Sequence, residues 1–304
     1  MSFIRILLPL ALIALCLAFA GGRGLWDRFA DLSLPWMGAA VAMLNLVIIL
    51  SALRWRLTAI ALGLPLTVGG AVREYYLAQF VNQTLPGGVL GDAARAVRSR
   101  NGGPLTPAAQ AVVLERASGQ IGMAAILGLA TIGAAVRPGT LPPVDAIAIA
   151  PVWMALAITV FLAFALVALG ISRRTTGSWG NAVRIALARR WRMQLTLSVT
   201  IAALTVTAFA LAARATGTAL PIFATALVAP LVLTAMLLPA SVAGWGWREG
   251  AAAVLFPLAG ADAAAGFAAS IAFGIAVLAS TLPGALFFLR RKRARPACVD
   301  CTRN

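Results

Sequence analysis

Six stretches of this chain, about 3–20, 37–53, 108–135, 147–171, 195–213 and 264–289, are apolar for long enough to cross a hydrocarbon core, which takes roughly 20 helical residues. Two more, about 66–91 and 219–258, are equally apolar but interrupted by helix breakers. A soluble core of this length could not hide so much apolar surface, since 61% of the residues are hydrophobic, 11% are charged and the mean hydropathy is +0.93. The sequence predicts an all-α polytopic membrane protein.

The net charge of +16 does not point to nucleic acid. Of 25 basic residues, 24 are arginines, mostly in short clusters between apolar stretches, where they read as topology signals. With a cytoplasmic N-terminus, the clusters Arg54/Arg56, Arg98/Arg100, Arg173 to Arg192 and Arg290 to Arg295 all lie inside only if each interrupted segment enters and leaves by the same face. The tally is then 18 basic residues inside, 4 outside (Arg23, Arg28, Arg137, Arg214) and 3 at membrane depth (Arg95, Arg116, Arg248). This arrangement has six full spans plus two re-entrant hairpins in two inverted repeats, about 1–140 and 145–290. Residues 1–290 form one integral membrane domain and 291–304 a basic cytoplasmic tail. An eight-span topology is the alternative; it puts Arg98 and Arg100 outside.

The N-terminus, with Arg5, an apolar run and Ala18-Phe19-Ala20, also has the look of a cleavable signal peptide. Cleavage would remove a span from the first half while its counterpart at 147–171 stayed, so a retained span is expected. Cys16 reads as a small apolar residue in a span. Cys298 and Cys301 form a lone CxxC with no histidine in the chain, which fits a reduced, solvated tail better than a metal site. No metal, cofactor or catalytic residue is expected.

The two interrupted segments carry the same punctuation: Leu85-Pro86-x-x-Val89-x-Gly91-x-x-x-Arg95 and Leu238-Pro239-x-x-Val242-x-Gly244-x-x-x-Arg248. Each sets a helix breaker and an arginine in otherwise apolar sequence. On the inverted topology both copies fall at hairpin tips, and broken helices meeting between inverted repeats are the architecture of many secondary transporters.

Around the first tip, Tyr75, Tyr76, Gln79, Asn82 and Gln83 recur by threes and fours on one helical face. Such a face in lipid meets either a partner helix or water, and a packing seam and a hydrated lining fit it equally. Pro86 stops the helix, and Gly87 and Gly88 allow a tight reversal. A helix beginning near Asp92 would present free N–H groups to an anion, with Arg95 one turn in; otherwise Asp92 caps that helix and Arg95 snorkels to headgroups. The second tip offers Ser241, Gly244, Gly246, Arg248 and Glu249, with Trp245 and Trp247 as interfacial anchors. Glu115 and Arg116 need counter-charges at depth. The pairings expected are Arg116 with Asp92 or Glu249, and Glu115 with Arg95 or Arg248.

Three segments together, Asn82-x-x-Leu85-Pro86-Gly87-Gly88-x-x-Gly91-Asp92-x-x-Arg95, Leu114-Glu115-Arg116 and Pro239-x-Ser241-x-x-Gly244-x-Gly246-x-Arg248-Glu249, resemble the transmembrane region of the lysylphosphatidylglycerol synthase/flippase family. Arg54-Trp55-Arg56 and Leu62-Gly63-Leu64-Pro65 fit the same pattern. The resemblance implies lipid translocation in a bacterial cytoplasmic (inner) membrane. The family's synthases carry a soluble aminoacyl-transferase domain after this region that these 304 residues do not include, so no enzyme activity is expected.

The expected function is a lipid translocase (flippase-like) that moves a phospholipid or other phosphate-bearing lipid between leaflets. Its partners are membrane lipids with anionic or phosphate-bearing heads. The substrate-binding residues would be Gln79, Asn82, Gln83, Pro86, Gly87, Gly88, Asp92, Arg95, Glu115, Arg116, Ser241, Arg248 and Glu249. Two other readings stay open: a membrane-embedded transferase acting on lipid-linked substrates, and a non-transporting partner subunit of a lipid-modifying enzyme. Head-group identity, direction, energy source and oligomeric state are left open by the sequence.

Overall fold

A computed structural model describes residues 22–85, 88–136, 178–237 and 244–293. The expected spans at 3–20 and 147–171, the three cysteines, Pro86, Gly87, Ser241 and most of the basic tail fall outside these residues. The described residues form ten α-helices and no strand: α1 (Gly22–Ala30), α2 (Leu34–Ala61), α3 (Val68–Thr84), α4 (Leu90–Ser99), α5 (Leu105–Val136), α6 (Ser178–Ala186), α7 (Trp191–Ala215), α8 (Ile222–Thr234), α9 (Trp247–Leu255) and α10 (Ala263–Arg293). Single 3-10 turns follow α6, α8 and α9.

Four helices, within Leu34–Ala61, Leu105–Gly133, Trp191–Ala215 and Ala263–Phe287, are long and apolar enough to cross a membrane. They coincide with four of the six expected spans. The chain is thus a multi-pass, all-helical membrane protein.

Local chemistry fixes the helix ends. Pro35 opens α2, where a missing N–H and a preset φ cost nothing. Thr67 caps α3, its hydroxyl accepting from the Gly70 N–H at 3.1 Å. Helix α2 runs to Ala61, well past the expected end at 53, and α10 continues three residues into the expected tail.

Both interrupted segments are broken helices. The first gives α3 and α4, which fold back on one another: Asn82 meets Gly91 near the bend, and Arg98 pairs with Glu74 at the far end. A Cβ on Gly91 would run into the Ala78 carbonyl, so only glycine lets α4 lie this close to α3. The second segment gives α8 and α9, and α9 packs along both α8 and α10. Small residues bring the other helices together in the same way, with Gly122 on the Ser198 carbonyl, Gly266 on Ala252 and Gly284 on Tyr76.

The larger core lies among α2, α7, α8, α9 and α10, around Leu44, Phe209, Val232, Phe256 and Phe273. A second gathers Ile48, Trp55, Tyr75, Tyr76, Ala96, Ala111 and Val112 where α2 to α5 meet. Leu129, Ile132, Leu282 and Leu286 point outward, as lipid-facing side chains do.

Candidate functional site

At the first break, charged side chains from three helices converge. Arg95 of α4 has no exposed surface, and its guanidinium lies 4.5 Å from the ring centres of both Trp55 and Tyr75. Its Nη2 reaches two carboxylates, Asp92 Oδ1 at 2.9 Å and Glu115 Oε2 at 3.2 Å. Arg116 closes on the other oxygen of Asp92. The Glu115 Oε1 accepts from Arg54 Nη2 at 2.6 Å and from the Tyr75 hydroxyl at 3.2 Å.

Of the two pairings offered for each residue, the structure makes Arg116 with Asp92 and Glu115 with Arg95. It makes neither Arg116 with Glu249 nor Glu115 with Arg248 among the described residues.

Arg54, counted with Arg56 in a basic cluster between apolar stretches, is part of the site. It is buried, 3% exposed, with Nη1 donating to Ser198 Oγ at 3.1 Å. The signal was present: Ser51, Arg54 and Thr58 share one face of α2 and are all buried. On the facing helix, Gln194 and Ser198 sit one turn apart, and Gln194 Nε2 donates to Thr58 Oγ1 at 3.0 Å. A run of polar contacts thus climbs between α2 and α7 into the charge cluster.

The cluster holds three arginines (Arg54, Arg95, Arg116) against two carboxylates (Asp92, Glu115), a formal excess of one positive charge. Arg54 Nε, Arg95 Nε, Arg95 Nη1 and Trp55 Nε1 are buried and have no hydrogen-bond partner among the described residues. Arg116 is the exposed member of the cluster, its side chain 46% exposed while that of Asp92 is 10% exposed.

The expectation of a free anion-binding N-terminus on α4 needs correcting too. Asp92 lies in the first turn, so the helix start already carries a carboxylate. That carboxylate does not cap the helix either; it accepts from Asn82 Nδ2 at 3.2 Å and from the two arginines. Asn82 holds the bend, its Oδ1 accepting the Gly91 N–H at 2.8 Å. The other polar residues of α3 do not act as one stripe. Tyr76 donates to Asn45 Oδ1 at 2.7 Å, and Gln79 and Gln83 are half-buried with no hydrogen bond among the described residues.

The second break is built differently. Gly244 and Gly246 have φ of 82° and 89°, a left-handed conformation that suits glycine and brings Trp245 round between them. Glu249 reaches back to accept the Gly246 N–H at 2.6 Å, one half of a capping box whose reciprocal bond glycine cannot make. Its Oε1 accepts from Arg248 Nη2 at 2.5 Å and from Ser270 Oγ at 3.1 Å. Arg248 also donates to Ser270 and lies over Trp245 and Phe273, at 5.2 and 5.6 Å. Arg248 and Glu249 are both buried, one charge against one. Trp245 and Trp247 are both half-buried, and Trp245 packs its ring against the Arg248 guanidinium.

The two breaks share a buried arginine, a carboxylate and an aromatic face, yet no hydrogen bond or ion pair joins them among the described residues. Among those residues, no group of acidic, histidine and cysteine side chains could hold a metal ion.

No curated protein matches the chain, and no solved structure does. A family model described as the lysylphosphatidylglycerol synthase TM region matches residues 6–284 of the 304. The chain belongs to the lysylphosphatidylglycerol synthase transmembrane-region family.

Proposed function

We propose that the chain is a lipid translocase that moves a phospholipid, or another phosphate-bearing lipid, between the leaflets of a bacterial cytoplasmic membrane. One observation carries the reading: three arginines share two carboxylates at a helix break among helices apolar enough to cross a bilayer. Charge at such depth costs at least about 2.5–3.5 kcal/mol per residue on insertion scales and is retained chiefly where it has work to do. Membership of a lipid-handling membrane family points the same way.

In this reading six full spans and two re-entrant hairpins form two inverted repeats with both termini cytoplasmic. Acyl tails stay in hydrocarbon while the head alone passes the breaks. Arg116 meets the phosphate first, being the exposed member of the cluster. The phosphate then takes the place of Asp92 on Arg116 and Arg95, and its charge balances the excess positive one. Glu115 keeps Arg54 and Arg95 in register throughout. Gln79, Asn82 and Gln83 offer neutral hydrogen bonds along the approach. Pro86, Gly87 and Gly88 shape the first turn, while Ser241, Arg248 and Glu249 form the receiving site at the second. The protein performs no covalent step in this scheme; a separate lipid-modifying enzyme would make its substrate.

The test is leaflet exchange of a labelled phospholipid in proteoliposomes containing the full chain. Arg95→Ala and Arg248→Ala are each expected to reduce exchange to the protein-free rate while the purified variants remain monodisperse in detergent. Wild-type exchange no faster than protein-free vesicles, or full exchange in both variants, overturns the reading.

A further inference from the structure

We propose that the elbow joining α6 to α7 is a docking surface for the anionic phospholipid heads of the leaflet it touches. Residues 178–193 contain Arg184, Arg189, Arg190 and Arg192 and no acidic residue. The elbow is pinned from one side. Ala182 and Ala186 pack with Leu114 of α5, and the half-buried Val183 and Leu187, with Ala61 and Leu62 at the end of α2, pack against that group. At the start of α7, Gln194 is tied to Thr58. With that face fixed, all four arginines turn outward and are exposed.

Exposed arginines without a carboxylate among the described residues also occur singly, at Arg73, Arg100 and Arg214, but the elbow gathers four of them within nine residues. Arg28 is bridged to Asp262 at 2.8 Å and Arg98 to Glu74, so each carries its own carboxylate. Arg184 bonds only to the neutral Asn181, and Arg189, Arg190 and Arg192 have no carboxylate partner among the described residues. Trp191 is 56% exposed and Met193 50% exposed, with the Arg192 guanidinium 5.5 Å from the centre of the Trp191 ring.

The elbow stands at the end of a span-length helix, where chain geometry meets the headgroup layer. An exposed tryptophan and methionine suit the acyl boundary there, and unpaired arginines suit the phosphates above it. The surface also adjoins the contacts from Gln194 through Thr58 to Arg54, so a head held at the elbow waits beside the path to the buried cluster. Docking does not depend on translocation: a protein that moves no lipid would still gather anionic heads here.

The experiment places the full chain in phosphatidylcholine nanodiscs doped with fluorescent phosphatidylglycerol or, separately, fluorescent phosphatidylcholine. Energy transfer from the tryptophans reads local enrichment. Both disc faces are open, so insertion direction does not enter. Wild type is expected to prefer the anionic probe by about fivefold or more, the order that one basic side chain near an anionic surface supplies. The preference should fade at about 0.5 M salt, where screening shortens to a few ångströms. The triple variant R189Q/R190Q/R192Q should lose most of it, R189K/R190K/R192K should keep it, and Arg214→Gln at the opposite end of α7 should leave it unchanged. An absent wild-type preference, one that survives high salt, or one equal in the glutamine triple overturns the proposal. If the glutamine triple does not fold, the wild-type salt dependence and the lysine triple decide.

Discussion

Glu115→Gln tests whether the buried cluster is held by charge or merely filled by shape. The substitution keeps the side chain's size but removes the charge that Arg54 meets at 2.6 Å and Arg95 at 3.2 Å, and it sets an amide N–H₂ against one of those donors. Three arginines are then left with Asp92 alone, and the excess rises from one positive charge to two. Opposite charges about 4 Å apart attract by about 4 kcal/mol at an effective dielectric of about 20. Breaking a buried pair by removing one member costs about 3–5 kcal/mol, so Glu115→Gln should destabilise by that amount. Adding Arg54→Gln returns the excess to one and removes the cation stranded most deeply on α2. The double variant should therefore recover about 1.5 kcal/mol or more relative to Glu115→Gln alone, a coupling of the size neighbouring network residues display. The assay is thermal or denaturant unfolding of the detergent-solubilised chain, completed as a double-mutant cycle. Additive losses, with the double variant less stable than Glu115→Gln by the full Arg54→Gln penalty, would refute the electrostatic account.

Three further outcomes follow from the geometry. Gly91→Ala should cost about 2 kcal/mol or more, because the new methyl meets the Ala78 carbonyl and overpacking of this kind costs about 1–3 kcal/mol. Gly128→Ala, with nothing near its Cβ, should instead gain about 0.5–1 kcal/mol; equal behaviour of the two in an unfolding assay would contradict the close-approach argument. Glu249→Gln strands Arg248 in the interior and weakens the bond to Gly246, so a loss of about 3–5 kcal/mol is expected, against about 1 kcal/mol for Ser270→Ala. Asn82→Ala should cost about 1–3 kcal/mol, since the buried Gly91 N–H then loses its acceptor, and faster hydrogen exchange at Gly91 would report that loss.

How much of this could be read from the sequence depended on whether a feature is set by one segment or by several. Run length and breakers are local, so four spans and both helix breaks were legible. The two carboxylate pairings of the first break were legible for a different reason: nine acidic residues in the whole chain leave few counter-ions for a charge at depth. The burial of Arg54 was not legible because α2 was expected to end at 53, which set Arg54 and Arg56 together just past the span. The helix instead continues to Ala61, so Arg54 lies two turns from its end and turns inward beside Ser51 and Thr58. Arg248 and Glu249 were offered only as alternative partners for Glu115 and Arg116 of α5, whereas they pair with each other at the start of α9. There Glu249 bends back to the Gly246 N–H, and that motion carries its other oxygen beneath the neighbouring guanidinium.

The same spelling therefore yields two electrostatic strategies, and the difference orders events in the proposed transport. At the first break the charges are shared between helices: Asp92 bridges Arg95 of its own α4 and Arg116 of α5, and Glu115 of α5 reaches Arg95 and Arg54. An incoming anion can take over the Asp92 contacts through the half-exposed Arg116 while Glu115 still holds the rest, so this break yields to side-chain exchange. At the second, one carboxylate serves the guanidinium, a backbone N–H and a hydroxyl at once. Displacing it would strand all three, each unpaired group costing about 1–3 kcal/mol and the charged one more. That break can open only if α9 shifts relative to α10 and carries the pair with it. Admission at the first break is then a local event and release at the second a helix movement, so stiffening the α9–α10 contact should slow exchange without weakening lipid binding at the first.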